Sequence, residues 1–526
     1  MILTHNRPCF IVCSSQSTFL STVISLMQQP EKRLVIVSNR LPIVLEKQQD
    51  SWHVSHGAGG LVTALAPVLR NRGGLWIGWP GTPDDGTLAE PITQASNETG
   101  YRLVPVMLTA HDIDTYYHGF ANEVIWPLFH DLPSRCNFEN EYWESYKEVN
   151  RKFAEVILET TNQDDYIWVH DYHLMGVAQE LKKQQPDLKA GFFLHIPFPS
   201  PDIFLKLPWR FELISALLEF DLIGFQTNRD RRNFAQCIRA LIKGARLYGK
   251  GAVVTVKLPE RQVKIGSFPI SIDYRQFVQQ ADTREVADCA WYFHENIGDR
   301  QIILGVDRLD YTKGIPQRLR AFERALEKYP DMAGKVTFIQ IVVPSRVTIP
   351  EYQHLRTEIE QVVSNINGRF TNYGWVPVQY IFRSIDRYQL LAHYRCADIA
   401  LVTPLKDGMN LVAKEYCACS LEKNGVLILS EFAGASAQLH NSALIVNPYD
   451  GENVADAMYA AFQMGGDERK NRMHKLRTSI KKYDIFWWVD TFIQAAFTKH
   501  LENFPIIEDF DYIAQIVRQR TKHGAP

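Results

Sequence analysis

Residues 399–419 read IALVTPLKDGMNLVAKEYCAC. The apolar run Ile399–Val402 is typical of a strand buried in a parallel sheet, Gly408 marks a turn, and Leu411–Cys419 has the character of a helix. A strand, a glycine turn and a helix together offer backbone N–H groups and the positive end of a helix dipole to an anion. Glu415 would lie in the first turns of that helix, where a carboxylate suits hydroxyl groups better than phosphate. A sugar nucleotide carries both kinds of group.

The same alternation of short apolar runs and amphipathic stretches continues along the chain, and it predicts an α/β protein with parallel sheets. The clearest strand candidates are Leu34–Val37, Tyr166–Val169, Gly191–His195, Leu222–Gln226, Val263–Phe268, Ile302–Val306, Val336–Val343, Ile399–Val402, Val426–Leu429 and Ala443–Val446. The alternation is interrupted at Phe268-Pro269-Ile270, and a polar, helix-rich connector, Asp273–Asn296, leads to a new unit at Ile302. We therefore predict two doubly wound, Rossmann-like domains that face each other across a cleft, with ligands bound beyond the carboxyl ends of the strands.

The bulk composition limits the classes of function. The chain has 526 residues, which is too long for one compact core, and its formal net charge of −2 gives no global attraction to nucleic acid or to a membrane surface. The eight cysteines show no zinc-ligand spacing, so we interpret them as reduced thiols of a cytoplasmic protein. The uncharged segment Phe10–Met27 is too polar for a membrane span. We predict four segments: an extension at 1–32, a first domain at 33–270, a second at 271–480, and a C-terminal helical segment at 481–526.

Polar clusters follow the predicted strands at their carboxyl ends, where function is expected in such sheets. They are Ser38-Asn39-Arg40, His170-Asp171-Tyr172-His173, His195-Ile196-Pro197-Phe198-Pro199, Asp307 to Gly314, and Pro344-Ser345-Arg346.

Four cations in these clusters indicate phosphate binding. Arg308 and Lys313 lie five residues apart around a strand-to-helix turn and suit a diphosphate, the arginine as a fork and the lysine as a point charge. Arg40 ends a strand in the first half and Arg346 ends one in the second half. A surface ion pair would explain any one of them alone, but four cations placed alike at strand ends favour a binding site.

Other features of the sequence leave more than one interpretation open. The turn Gly57-Ala58-Gly59-Gly60 precedes a helix and would let backbone approach a ligand, although it is equally typical of a plain loop. Asp171 and His195 fit either a site or buried hydrogen-bonding positions. Aromatic residues such as Trp126 fit the core but also stack on sugars. No GxSxG elbow and no GxxxxGK[ST] loop occurs.

In combination, these motifs resemble the trehalose-6-phosphate synthase family, retaining glycosyltransferases of GT-B architecture, from about residue 33 to about residue 500. The matching pieces, in order, are Val37-Ser38-Asn39-Arg40, Gly59-Gly60-Leu61, Tyr116-Tyr117, Trp126-Pro127, Trp168 to His173, Leu194 to Pro199, Arg308 to Gly314, Pro344-Ser345-Arg346 and Asp407 to Glu415. The resemblance implies two Rossmann-like domains and a C-terminal helix that crosses back to the first domain.

The resemblance also implies roles for individual residues. The phosphate and ring of glucose 6-phosphate would be held by Arg40, Tyr117, Trp126 and Arg346, with Asp171 on the acceptor hydroxyls. The donor diphosphate would be approached by Gly60 and neutralised by Arg308 and Lys313. His195 would lie beside the donor glucose. The glucose hydroxyls and the phosphate would be cradled by Asp407 and the backbone of Gly408, Met409, Asn410 and Leu411. Glu415 would bind the ribose, and the backbone around 381–385 would meet the base.

The activity implied is transfer of glucose from UDP-glucose to glucose 6-phosphate with retention, without a metal or a further cofactor. A separate trehalose-phosphate phosphatase is then expected to act on the product, since no DxDx[TV] motif follows the transferase region. Three alternatives differ in class: a sister transferase acting on glycerol 3-phosphate or a cyclitol phosphate, a non-catalytic regulator that senses sugar phosphates, and a glycogen-synthase-like polymerase. The donor base and the formation of homo-oligomers stay open.

Overall fold

The structure of the protein, a computed structural model, describes residues 33–48, 51–57, 60–83, 86–346, 349–498, 501 and 504. The predicted extension at 1–32, the predicted loop positions Ala58 and Gly59, and residues 505–526 of the tail lie outside the described residues.

The first of two large sheets has nine strands, all between Leu34 and Ser267. They are β1 (Leu34–Arg40), β4 (Leu75–Trp79), β5 (Arg102–Pro105), β6 (Tyr166–His170), β7 (Ala190–Phe193), β8 (Leu222–Phe225), β9 (Arg246–Tyr248), β10 (Val253–Lys257) and β11 (Gln262–Ser267), in the spatial order β5-β4-β1-β6-β7-β8-β11-β10-β9. Two further strands, β2 (Ile43–Gln48) and β3 (Ser51–His56), form a separate antiparallel hairpin. Only β10 pairs antiparallel with its neighbours in the described sheet, which adds an edge that the sequence did not predict.

The second sheet has six strands, all parallel within the described residues. They are β12 (Gln301–Arg308), β13 (Val336–Val343), β14 (Val378–Phe382), β15 (Ile399–Val402), β16 (Val426–Ser430) and β17 (Leu444–Val446), in the order β14-β13-β12-β15-β16-β17. The predicted α/β fold with two Rossmann-like parallel sheets is confirmed. The division between the sheets supports the predicted domain boundaries, which remain a prediction.

Helices of eight or more residues cover both sheets. They are α1 (Gly60–Arg72), α2 (Ala89–Thr99), α3 (Asn140–Thr160), α4 (Val177–Gln184), α5 (Arg210–Leu217), α6 (Asn228–Leu241), α7 (Tyr274–Ala281), α8 (Arg284–Ile297), α9 (Ile315–Lys328), α10 (Pro350–Phe370), α11 (Arg387–Cys396), α12 (Leu411–Cys419), α13 (Gly451–Gln463), α14 (Gly466–Lys482) and α15 (Ile485–Phe497). One more, the segment Ile113–Ile125, is a π-helix wound with i→i+5 hydrogen bonds. Helices on both faces explain why strands such as β1 and β13 are almost continuously apolar and buried.

The last helix, α15, returns to the first sheet as predicted. Its Phe492 ring stacks on Trp168 with centroids 4.3 Å apart, and its Trp488 lies 4.9 Å from the same ring. Lys264 on β11 donates hydrogen bonds to the carbonyls of Ala495, Ala496 and Thr498 at the end of the helix. These carbonyls would otherwise lack intrahelical donors, so Lys264 both caps the helix and ties it to the first sheet. We call the first sheet with the helices that cover it the first lobe, and the second sheet with its helices the second lobe.

No described helix is long and apolar enough to span a bilayer. No described group of three or more His, Cys, Asp or Glu side chains could hold a metal ion. The described cysteines are all unpaired: Cys136, Cys237, Cys289, Cys396, Cys417 and Cys419. The cytoplasmic location inferred from the sequence stays a prediction.

Candidate active site

The carboxyl ends of the two sheets meet, and the polar clusters predicted from the sequence lie there. Arg346 follows β13 of the second sheet, yet its guanidinium lies over the ring of Trp126 from the first lobe, 4.8 Å from the centroid. Its Nη2 lies 3.5 Å from the hydroxyl of Tyr172, also in the first lobe. The side chain is only 10% exposed and forms an ion pair with Asp310 at 3.8 Å. Arg346 is therefore held at the junction of the lobes.

Arg40, the second cation of this cluster, approaches the same place from the first sheet. Its guanidinium lies 4.6 Å from the ring of Trp79, and the ring of Tyr117 packs edge-on against Trp79. Tyr117 in turn stacks on His173 with centroids 5.9 Å apart. Burial, together with the charges of Arg346 and Arg40, lowers the pKa of His173 to about 3. The positive charges of both guanidiniums therefore disfavour protonation of the same imidazole. We define the acceptor cluster as Arg40, Tyr117, Trp126, His173 and Arg346.

The π-helix Ile113–Ile125 carries Tyr117 and runs directly into Trp126, whose backbone N–H donates to the carbonyl of Ala121. The wider winding changes the direction of side chains relative to an α-helix, and such segments are frequent at functional sites. No sequence pattern predicted this helix type, although the two aromatic residues were predicted to belong to the site.

A second cluster surrounds the turn between β15 and α12. Lys313 donates to the Asp407 carboxylate at 2.5 Å, and Asn410 Nδ2 donates to the same oxygen at 3.1 Å. Burial would raise the pKa of Asp407, but the charge of Lys313 and its hydrogen bond outweigh burial and lower the pKa. Arg308 ends β12, and its charge favours the ionised forms of Asp310 and Asp171. We call this group the donor cradle, with residues Gly60, Arg308, Lys313, Asp407 to Leu411, and Glu415.

The backbone of the turn approaches the first lobe so closely that no side chain fits at Gly408, and Gly60 lies close to the start of α12. A Cβ atom at Gly408 would lie 2.0 Å from the carbonyl oxygen of His195. A Cβ at Gly60 would lie 2.8 Å from Cδ1 of Leu411, which begins α12. The first N–H groups of a helix have no intrahelical acceptor, so the start of α12 can serve an anion. Met409, buried in the turn, accepts a hydrogen bond from the N–H of Ala435 at 2.8 Å.

Glu415 lies on α12 as the sequence predicted. The hydroxyl of Tyr394 donates to its Oε2 at 3.0 Å. Burial raises the pKa of Glu415, while the charge of Arg387 and the Tyr394 hydrogen bond oppose that rise. A carboxylate with one oxygen fixed by a tyrosine retains acceptor capacity for a sugar hydroxyl.

Asp171 and His195 lie between the two clusters. The N–H of His195 donates to Asp171 Oδ1 at 3.2 Å. Burial raises the pKa of Asp171 to about 6, against the effect of backbone N–H donors and of Arg308. His195 Nε2 lies 3.1 Å from Nδ1 of His170, and burial lowers the pKa of His195 to about 3. The pair thus combines a carboxylate of raised pKa with a neutral imidazole, which suits contacts to hydroxyl groups.

Backbone strain marks the same region. Among the described residues, five other than glycine have positive φ: Asp131, Asp171, Arg346, Asn410 and Lys423. Three of these, Asp171, Arg346 and Asn410, were predicted to be site residues from sequence motifs. Such conformations cost about 1–3 kcal/mol each and persist where the surroundings enforce them, commonly at functional sites.

The structure thus places the predicted site residues in two clusters near the carboxyl ends of the sheets, with Arg346, Gly60 and Gly408 in contact across the junction, whereas Glu415 is hydrogen-bonded within its own lobe. It also adds residues that the sequence analysis left unassigned. They are Asp310, Tyr172, His170, His173, Tyr352 and Trp488. The run Trp168 to His173 was noted as a motif, but only Asp171 received a role, because a single sequence does not show which side chain of a run faces the cleft. Tyr352, whose hydroxyl accepts from Arg346 at 2.7 Å, carried no signal in the sequence.

Known proteins resemble this chain both in sequence and in structure. Residues 32–497 match the family model described as glycosyltransferase family 20. A trehalose-6-phosphate synthase of Mycolicibacterium gilvum (strain PYR-GCK) is 43% identical over 481 residues, which cover 90% of this chain and 95% of the relative. An alpha,alpha-trehalose-phosphate synthase (UDP-forming) from Burkholderia xenovorans, crystallised with glucose-6-phosphate, has a TM-score of 0.79 and 35% identity, covering 88% of this chain and 99% of its own. An E. coli structure bound with UDP-2-fluoro glucose has a TM-score of 0.78 and 37% identity, with coverages of 88% and 99%.

Proposed function

The chain belongs to glycosyltransferase family 20, and on that premise we propose that it transfers glucose from UDP-glucose to glucose 6-phosphate, giving trehalose 6-phosphate and UDP. The resemblance drawn from the sequence motifs is thereby confirmed. The observation that carries the proposed reaction is the geometry of the acceptor cluster, in which Arg346 of one lobe lies over Trp126 of the other, and Arg40 lies over Trp79 beside Tyr117. A phosphate placed between two such guanidiniums can accept forked hydrogen bonds from both.

The acceptor would lie with its phosphate at Arg40 and Arg346 and its sugar ring against the aromatic residues Tyr117 and Trp126. Arg346 supports this placement because its guanidinium is already fixed by Trp126 and by the Tyr352 hydroxyl. Asp171 would accept hydrogen bonds from acceptor hydroxyls when it is ionised. Because the acceptor cluster contains residues of both lobes, acceptor binding would close the cleft, exclude water and limit hydrolysis of the donor.

The donor would lie with its diphosphate at the start of α12, near Arg308 and Lys313. Its glucose hydroxyls would meet Asp407 and the turn from Gly408 to Leu411, and its ribose would meet Glu415. The base would pack against backbone around 381–385, at the carboxyl end of β14. We infer uridine because relatives of this chain are named UDP-forming enzymes.

In the reaction, the bond between the anomeric carbon and the diphosphate oxygen breaks, and a bond to the anomeric oxygen of glucose 6-phosphate forms on the same face. The acceptor hydroxyl gives its proton to the departing phosphate oxygen, so charge and atoms balance. Arg308, Lys313 and the α12 N-terminus would stabilise the negative charge that grows on the diphosphate. These fixed charges would take the place of a divalent metal at the diphosphate, so the rate should be unchanged by EDTA. A rate abolished by EDTA and restored by Mg²⁺ would refute that part of the proposal.

The test of the proposed function is a matrix of nucleotide-glucose donors against phosphorylated acceptors, with the product identified by mass and by α,α linkage. We expect trehalose 6-phosphate from UDP-glucose and glucose 6-phosphate at the highest kcat/KM. Preferred use of glycerol 3-phosphate or a cyclitol phosphate would indicate a sister transferase. Tight binding of glucose 6-phosphate without any product would indicate a regulator.

A further inference from the structure

Two histidines of the first lobe form a hydrogen-bonded pair in which only one faces the cleft. His170 ends β6 and is fully buried, while His195 follows β7 and is partly exposed. Nδ1 of His170 lies 3.1 Å from Nε2 of His195. Burial lowers the pKa of both rings, so both are neutral near pH 7. A single proton then lies between these two nitrogens, and the tautomer of one ring fixes the tautomer of the other.

The surroundings of His170 decide where that proton resides. The ring lies among Trp168, Phe193 and Trp488, at centroid distances of 4.7, 6.5 and 6.3 Å. Within the described part of the chain, Nε2 of His170 is buried and has no hydrogen-bond partner. A proton on that nitrogen would leave a buried N–H without an acceptor, and orphaned buried donors are rarer than under-used acceptors. The favoured tautomer therefore carries its proton on Nδ1 and donates it to Nε2 of His195.

We propose that His170 is a positioning residue that holds His195 in the Nδ1–H tautomer, so that His195 donates a hydrogen bond to a hydroxyl of the donor glucose. This inference deepens the proposed function and rests on it. With Nε2 of His195 occupied as an acceptor, Nδ1 is the nitrogen left for the cleft, on the same residue whose carbonyl meets the Gly408 turn. Trp488 gives the returning helix α15 a part in this arrangement, because it covers both imidazoles, with centroids 6.3 Å from His170 and 6.2 Å from His195.

Three substitutions of His170 separate the hydrogen bond from simple packing. In His170→Asn, the amide nitrogen is attached at the same point as Nδ1 and can still donate to His195. In His170→Gln, the side chain is closer to histidine in volume, but its amide lies one bond further out. His170→Phe keeps a ring and removes the donor. A packing role would favour glutamine over asparagine, whereas the proposed role favours asparagine.

We expect kcat/KM for UDP-glucose to stay within about threefold of the parent in His170→Asn and to fall about 10- to 100-fold in His170→Gln and His170→Phe. The KM for glucose 6-phosphate and the calorimetric Kd for UDP, which lacks the sugar, should stay unchanged in all three. Equal losses in the asparagine and glutamine variants, or a parallel loss of UDP binding, would overturn the proposal.

A second measurement does not depend on turnover. In the full-length protein labelled with ¹⁵N-histidine, long-range ¹⁵N–¹H correlation reports which ring nitrogen is protonated, and His195→Asn identifies the His195 signal. We expect a protonated Nδ1 in the parent and a shift of the proton toward Nε2 in His170→Phe. A parent protein with Nε2–H at His195 would refute the tautomer assignment even if the transferase activity is confirmed. A parent with Nδ1–H but no trehalose 6-phosphate formation would instead refute the proposed function.

Discussion

The acceptor cluster and the donor cradle both suit a phosphate, but they hold their cations in different ways. In the acceptor cluster, Arg346 and Arg40 lie over the tryptophan rings of Trp126 and Trp79, and the nearest carboxylate to Arg346 is 3.8 Å away. In the donor cradle, Lys313 is already paired with Asp407 at 2.5 Å. The rings fix the direction of each guanidinium without neutralising it, and the ion pair of Arg346 with Asp310 is long, whereas the short contact with Asp407 neutralises Lys313 until the substrate arrives.

This difference indicates that the two clusters contribute to different kinetic parameters. A planar guanidinium held by rings is selective for the shape of its ligand, and it should contribute mainly to acceptor affinity. A lysine shared between Asp407 and a diphosphate changes its partners as charge moves onto the leaving group, so it should contribute mainly to kcat.

Replacement of Lys313 by alanine should give the largest loss. We expect kcat to fall ~10²–10³-fold, because one charge that stabilises the departing diphosphate is lost. The KM for glucose 6-phosphate should change little. Steady-state rates of trehalose 6-phosphate formation at saturating donor measure both quantities.

The matched control for this loss is Lys328→Ala, since Lys328 pairs with Glu452 and Asp456 on the surface of the second lobe. This variant should keep normal kinetics, because exposed ion pairs contribute little to the stability of the fold and Lys328 lies outside the donor cradle. A near-normal kcat in Lys313→Ala would show that this lysine does not stabilise the departing diphosphate. The two clusters would then not differ in their contributions to kcat.

The next effect concerns the shape of the acceptor cations. Arg346→Lys keeps the charge but loses the planar contact with Trp126 and the hydrogen bond to Tyr352. We expect the KM for glucose 6-phosphate to rise about 10- to 100-fold with kcat nearly retained. Arg40 is more exposed, so Arg40→Lys should raise the same KM by only about 3- to 10-fold. A loss in kcat rather than KM for Arg346→Lys would show that the acceptor cluster acts on the transition state.

Much of the fold could be predicted from the sequence because strands buried on both faces leave continuous apolar runs. The strands Val336–Val343 and Ile399–Val402 and the helix Leu411–Cys419 have the predicted bounds. The hairpin β2–β3 and the strands β4, β5, β9, β10 and β14 were missed. Most of them are short or partly exposed and leave no long apolar run, and the buried strand β4 has only five residues. The π-helix was missed because its winding depends on packing around it, not on a local pattern.

The site was predictable where motifs place a residue at the end of a strand, as for Arg308 and Asp407. It was not predictable where a side chain acts through contacts that form only in the folded chain. Tyr352 lies six residues beyond Arg346 in a helix and meets it only in the folded chain. Trp488 lies more than 300 positions from His170 in the chain, and only the return of α15 brings them together. Ring tautomers and strained backbone likewise depend on three-dimensional surroundings.

A smaller effect is expected within the donor cradle at Glu415. Glu415→Gln keeps the size of the side chain and an oxygen for Tyr394, but it weakens the acceptor for a ribose hydroxyl. We expect kcat/KM for UDP-glucose to fall about tenfold. With a donor whose ribose lacks the contacted hydroxyl, the parent and the variant should be equal. An undiminished difference on the deoxyribose donors would place Glu415 elsewhere in the mechanism.

The smallest effect is a pH dependence at Asp171, the residue between the two clusters. Because burial raises its pKa to about 6, the carboxylate that accepts acceptor hydroxyls is lost as the pH falls through 6. The kcat/KM for glucose 6-phosphate should then fall by two protonations in the parent, one on Asp171 and one on the substrate phosphate, whose second pKa is also about 6. Asp171→Asn should be less active and should retain only the phosphate titration.

Stability gives an independent check on Asp171 with the opposite sign. A carboxyl whose pKa is higher in the folded chain than in the unfolded chain stabilises the fold fully at low pH, and this contribution is lost as the pH rises through about 6. Asp171→Asn cannot ionise, and its amide oxygen can still accept from the N–H of His195. Its Tm relative to the parent should therefore be higher at pH 8 than at pH 5. A Tm difference that does not change with pH would mean that Asp171 has an ordinary pKa, and the acid limb of activity would then belong to the substrate phosphate alone.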